Sequence, residues 1–114
     1  MKVVEKAWGS ETWLVNSALY CAKFLNISPQ YRCSLHAHKV KDETFVVMNG
    51  SVILEYVDTS GHKHEEILGY GDTRHITPGM YHRFGSIAGA TILEVSTHHS
   101  DADVIRLEAS SQLP

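Results

Sequence analysis

No stretch in the first hundred residues keeps a 3.6-residue apolar period for three helical turns. The chain instead breaks into short runs rich in β-branched and aromatic residues, each bounded by turn formers. The pattern predicts strands over Glu11–Val15, Leu19–Ile27, Arg32–Ala37, Thr44–Met48, Val52–Val57, Lys63–Leu68, Thr73–Ile76, Tyr81–Phe84, Thr91–Thr97 and Asp103–Arg106. Asn49-Gly50 lies between two apolar runs, and both residue types tolerate the positive φ of a tight hairpin turn. Pro78-Gly79 reads as a second tight turn. Many short strands at a spacing of roughly 8 to 12 residues imply an all-β sandwich or small barrel. A single helical turn is expected near Ser100–Asp103, and a frayed tail over Ser110–Pro114.

The 114 residues suit one domain spanning 1–114, with 43% apolar residues to fill its core and too few Gly and Pro for a low-complexity chain. A net charge of −3 without a basic run argues against a nucleic-acid partner. No apolar stretch approaches the ~20 residues that cross a bilayer, so no membrane role is expected. The N-terminus MKVVEKAWGSE has no apolar leader core, so Cys21 and Cys33 read as reduced, buried thiols of a cytoplasmic protein.

Eight histidines in a chain this short direct attention to Ser34-Leu35-His36-Ala37-His38-Lys39-Val40-Lys41-Asp42-Glu43. On a strand, residues i and i+2 share a face, so His36 and His38 project together. Four residues later Glu43 opens the next strand, where its carboxylate can reach the same ion. His82, just after the Pro78-Gly79 turn, is the best fourth ligand. Three imidazoles and one carboxylate suit Mn, Zn, Fe, Ni or Co. On an octahedral ion they leave two positions for water or substrate. His62-x-His64 has the same spacing, but it sits beside Gly61 among Lys63, Glu65 and Glu66 and reads as a solvated hairpin tip.

His36-x-His38-x4-Glu43-x6-Gly50 resembles the first cupin motif, and Gly71-Asp72…Pro78-Gly79-x2-His82 resembles the second. Three positions depart from the pattern: Gln30 replaces the usual opening glycine, the proline is displaced by one, and Ser86 stands where an asparagine often closes the second motif. All three affect turns rather than ligands. The resemblance implies a double-stranded β-helix, the cupin jelly-roll barrel, with the metal inside and homodimers common.

The flanks Trp8-Gly9, Lys23, Arg32-x-Ser34-Leu35, His82-Arg83, Glu94-Val95 and Asp103-Val104-Ile105-Arg106-x-Glu108 resemble the cupin domain of type II mannose-6-phosphate isomerases. His36 replaces the glutamine ligand of that family, and the chain lacks its Asp-x-Tyr-Gly-Arg segment beyond Arg-x-Glu. The resemblance implies a small-molecule substrate, a sugar or sugar phosphate, and aldose–ketose isomerisation through an enediol. Such a reaction needs an ion to offset developing charge and a base to move a proton between adjacent carbons. Glu43, Glu94, His75, Tyr81 and His98 are the candidate bases. Glu94 lies in a run that is apolar on both faces, so either orientation remains open.

Candidate substrate-binding residues are Lys23, Arg32, Arg106 and His98. Arg32 shares strand parity with Ser34, His36 and His38, which predicts that it faces the same cavity. Lys23 shares parity with Leu25 and Ile27, so it is either functional or reaching for the rim. Arg106 clamps substrate by resemblance or else pairs with Glu108 or Asp103, and Arg83 reads as structural. Two other functions stay open on the same ligand set: an iron-dependent dioxygenase and a non-catalytic module that binds a small polar ligand.

Overall fold

A computed structural model describes residues 1–114. Its strands are β1 (Lys2–Lys6), β2 (Gly9–Asn16), β3 (Cys21–Ile27), β4 (Tyr31–Arg32), β5 (Leu35–His38), β6 (Glu43–Gly50), β7 (Val52–Val57), β8 (Lys63–Leu68), β9 (Thr73–Ile76), β10 (His82–Ser86), β11 (Ala90–Ser96), β12 (Val104–Glu108) and β13 (Ser111–Gln112). A 3-10 turn at Asp101–Asp103 is the one helical element, where a helical turn was expected. No helix is long and apolar enough to cross a membrane.

All pairings are antiparallel. One sheet runs β1-β2-β3-β11-β6-β9; the other runs β12-β5-β10-β4-β13, with β7 on β10 and β8 on β7. The two form the expected jelly roll. Period-2 alternation sets the inner face: Cys21, Lys23, Leu25 and Ile27 of β3 are buried, as are Ala90, Ile92, Glu94 and Ser96 of β11. Thirteen buried residues, among them Trp8, Leu25, Phe45, Val47, Leu54, Phe84 and Ile92, fill the space between the sheets. Trp8 meets Phe84 edge to face at 5.0 Å, a favourable aromatic geometry. Both cysteines are buried and unbridged.

Asn49-Gly50 ends β6 but makes no hairpin, a correction to the expected turn: β6 pairs with β11 and β9 in one sheet and β7 with β10 and β8 in the other, so the chain crosses between sheets here. Gly50 takes φ 78°, and a Cβ there would lie 2.5 Å from the Gly89 carbonyl oxygen, so glycine is required on both counts. Gln30, at the position where the motif usually has glycine, adopts φ 69° and is the one non-glycine residue in the left-handed region.

Three further local expectations are corrected, and one strand is added. Leu19 and Tyr20 are outside β3, because Ser17 Oγ accepts both their amides and makes a turn. The predicted run Arg32–Ala37 is two strands separated at Cys33 and Ser34. The tail is anchored rather than frayed: β13 pairs with β4, and the Leu113 amide donates to the Gln30 carbonyl at 2.7 Å. Lys2–Lys6, with no clear alternation to announce it, forms β1 on the edge of the larger sheet.

Candidate metal centre

β5 carries His36 and His38, and antiparallel pairing places His82 of β10 directly opposite His36. The three imidazoles offer ring nitrogens all within 4.8 Å of one another, a group able to hold a divalent metal. His36 Nδ1 donates to the Ser34 carbonyl at 2.8 Å and His82 Nδ1 to the Met80 carbonyl at 3.0 Å. In both rings that fixes the tautomer and turns the Nε2 lone pair away from the backbone. Glu43, at the start of β6, brings Oε2 to 3.4 Å from His38 Nε2 and 3.5 Å from His82 Nε2.

Burial makes this cluster costly without a cation. His82 Nε2, Glu43 Oε2 and His38 Nδ1 are buried without hydrogen-bond partners, against the general rule that buried polar atoms are satisfied. A divalent ion held by the three imidazoles beside Glu43 would give His82 Nε2 and Glu43 Oε2 a partner and offset the carboxylate charge, so these residues fit such an ion. Burial pushes His36 down to about 4, His38 to about 2 and His82 to about 3, which keeps the rings neutral, the form that ligates. Burial, then the nearby Glu94 carboxylate, pushes Glu43 up to about 8.

A cavity of about 120 Å³ opens beside the cluster, with Lys23, Lys41, Glu94, His99 and Arg106 among its walls. Glu94 points inward from β11 and is buried. Its burial raises the cost of ionisation, but Lys41 and Lys23, with hydrogen bonds from Lys41 and Ser96, outweigh that and hold it below the ordinary carboxylate range. Lys41 Nζ donates to Glu94 Oε2 at 2.9 Å and lies 3.7 Å from Glu43 Oε1. Lys23, only 1% exposed, pairs with Glu11 at 3.6 Å and lies over the Trp13 ring at 4.2 Å. Arg106 faces His36 across the β12–β5 pairing and depresses that ring further. The two acids near it in sequence are engaged elsewhere: Glu108 with Arg83, and Asp103 with the amides of Val40 and Lys41.

Four candidates lie outside the cavity. Arg32 points away because the strand break at Cys33–Ser34 cancels the parity argument; it binds Ser111 Oγ at 2.9 Å and pairs with Glu55. His75 projects from the outer face of β9 and bonds Asp42. Tyr81 precedes β10, its carbonyl accepts the Val57 amide, and it is not among the residues that line the cavity. His98 is exposed and bonds the Ser17 carbonyl, because β11 ends at Ser96 and the neighbouring His99 turns inward instead.

Lys41 and His99 are cavity residues that the sequence did not flag. Lys41 sits in a polar turn that reads as solvated, and its side chain is instead drawn inward to Glu94 and His99. Arg83 is structural, as expected: it binds the Cys33 carbonyl, Glu108 and the Ala109 carbonyl. His62 and His64 stay at an exposed hairpin tip around Asp58.

No family model and no curated protein matches the sequence. Solved structures do share the fold. Oxalate decarboxylase from Bacillus subtilis at pH 4.6 superposes with a TM-score of 0.80 at 24% identity, over 91% of this chain and 29% of that one. A variant of the same enzyme gives 0.83 at 22% identity, over 93% and 30%. A structure of that enzyme from work on its Mn(II) centres gives 0.79 at 24% identity, over 91% and 29%. This chain therefore has the cupin fold and spans less than a third of the length of those enzymes.

Proposed function

We propose that this protein is a divalent-metal enzyme that interconverts the aldose and ketose forms of a small sugar or sugar phosphate. The observation that carries the reading is the pairing of a three-imidazole, one-carboxylate cluster with a second buried carboxylate, Glu94, across the same small cavity. His36, His38, His82 and Glu43 are the ligands. The ion, when bound, supplies a Lewis acid that offsets negative charge on two adjacent substrate oxygens.

Glu94 is the base. It is held ionised by Lys41, so it can take the proton from the carbon beside the carbonyl and return it to the neighbouring carbon. Arg106, without an acidic partner and facing His36, receives an anionic substituent at the mouth. Lys23 is fixed by Glu11 and Trp13 and shapes the wall.

The second reading is metal-dependent breakdown of a small carboxylic acid, with or without oxygen. The cavity volume favours it, since 120 Å³ is well below the ~300–1,000 Å³ of pockets that enclose drug-sized ligands. The fold neighbours are oxalate decarboxylases. Protein loaded with Mn(II), Zn(II) or Fe(II) should interconvert an aldose and its ketose in D2O and place deuterium on the carbon next to the carbonyl. Metal-loaded protein that leaves every pentose, hexose and their phosphates unchanged, yet releases CO2 from oxalate or consumes oxygen, would replace the first reading by the second.

We also propose a homodimer. The outer face of the larger sheet carries Ala22, Phe24, Thr44, Val46, Leu93 and Val95 in two cross-strand rows without a charge, and Val95 is 49% exposed. An uncharged apolar face suits a second copy of itself. A single monomeric species in sedimentation at micromolar concentration would exclude it.

A further inference from the structure

Lys41 is an unusual wall residue. It is almost wholly buried, and it is held at both ends. Its amide donates to Asp103 Oδ2 at 2.9 Å, while the Val40 amide takes Asp103 Oδ1 at 2.9 Å, so one carboxylate fixes the turn between β5 and β6. Its ammonium donates to Glu94 Oε2 at 2.9 Å and to His99 Nδ1 at 3.1 Å. His99 can accept there because its Nε2–H is given to Asp101 Oδ1 at 2.9 Å. The ring is set in place by an edge-on contact with Trp13 and by the Asn16 side chain on its amide.

With two of three N–H bonds so committed, the remaining charge faces Glu43 Oε1 at 3.7 Å. The other oxygen, Oε2, faces His38 and His82. The two oxygens of one carboxylate are thus divided between an ammonium and the imidazole cluster.

We propose that Lys41 is a positioning residue that confines Glu43 to single-oxygen ligation and so keeps one coordination position of the ion open. This rests on the metal reading above. A carboxylate free of such a partner can chelate through both oxygens and would occupy a position otherwise left to water or substrate. Removing the lysine also removes a positive charge near the ion, so metal affinity should hold or tighten while accessible water is lost.

The test is water-proton relaxation by bound Mn(II), which counts exchangeable waters and needs no substrate. Wild type and Lys41→Met are each titrated with Mn(II), and His82→Ala serves as the control for site occupancy. Lys41→Met should bind Mn(II) at least as tightly as wild type, with relaxivity per bound ion lowered to roughly half as two waters become one. Because Lys41→Met takes the ammonium from Glu94 and leaves it the Ser96 hydroxyl, the double variant Lys41→Met with Glu94→Gln restores charge balance should the single one not fold. It should show the same loss. Unchanged relaxivity with Mn(II) bound in a folded variant would overturn the role of Lys41. No Mn(II) uptake by wild type, or uptake that persists in His82→Ala, would instead overturn the metal reading beneath it.

Discussion

Glu43 Oε2 lies 3.5 Å from His82 Nε2, and neither atom has a hydrogen-bond partner. With Glu43 ionised, two acceptor lone pairs at that separation inside a core repel each other, and a cation between them reverses the sign.

The first prediction follows from that reversal. The protein should bind about one equivalent of Mn(II), Co(II) or Zn(II) per chain, and binding should raise its melting temperature by mass action. His82→Ala should weaken the metal by more than the ~10–100-fold typical of losing an outer-shell partner. Isothermal titration against a competing chelator reads both. Equal affinity in the variant would place the ion elsewhere.

The metal-free protein should be most stable near pH 6.5. His36, His38 and His82 are pushed well below their ordinary value of 6.5, so the unfolded chain binds more protons than the folded one as pH falls below 6.5, and stability drops. Glu43 acts in the opposite direction. Its carboxyl is pushed up from 4.5 to about 8, so unfolding releases its proton and stability falls as pH climbs through that window. Below 6.5 three rings outweigh one carboxyl; above it Glu43 acts alone. Melting temperatures from pH 5 to 9 test this, and Mn(II) should remove the alkaline decline by ligating the ionised form. A metal-free curve that is flat from 6.5 to 8 would contradict the burial effect on Glu43.

Glu94→Gln should lower kcat by about 10²–10⁴, the usual range for a missing general base, while metal binding remains. Solvent deuterium exchange into substrate should fall in parallel. Full exchange in the variant would move the base to another residue.

Gln30→Gly should stabilise the fold. The left-handed backbone at φ 69° costs a side-chain-bearing residue roughly 1–2 kcal/mol, against about 0.5–1 kcal/mol of added chain entropy for glycine. The hydrogen bonds of this turn are backbone ones to Ser86, Ile87 and Leu113, and glycine keeps them. A gain of up to about 1 kcal/mol is expected in denaturant unfolding. A lower midpoint would show that the glutamine side chain contributes more than its backbone costs.

The strands were legible because their boundaries coincide with turn chemistry: Val52–Val57, Lys63–Leu68 and Thr73–Ile76 fall as expected between Asn49-Gly50, Gly61 and Gly71-Asp72. The convergence of His36, His38 and His82 was legible from period 2 and a remote tight turn. Parity failed at Arg32 because the period-2 rule holds only within one continuous strand: β4 ends at Arg32 and β5 begins at Leu35, and nothing in Cys33-Ser34 signals the interruption. Lys41 and His99 were hidden for another reason. The groups that draw the Lys41 ammonium inward, Glu94 and His99, are more than fifty residues away in sequence, so no local pattern announces its burial.

The Asp103 clasp on Val40 and Lys41 has a bearing on transplantation. A segment holding only the His-x-His and Glu pattern would bring the donor atoms to a new host sheet, yet leave behind the acid that fixes the spacing between them. An engineer moving this centre would need to carry the late strand as well, because the tolerances of the ligand set are written in a part of the chain that contributes no ligand.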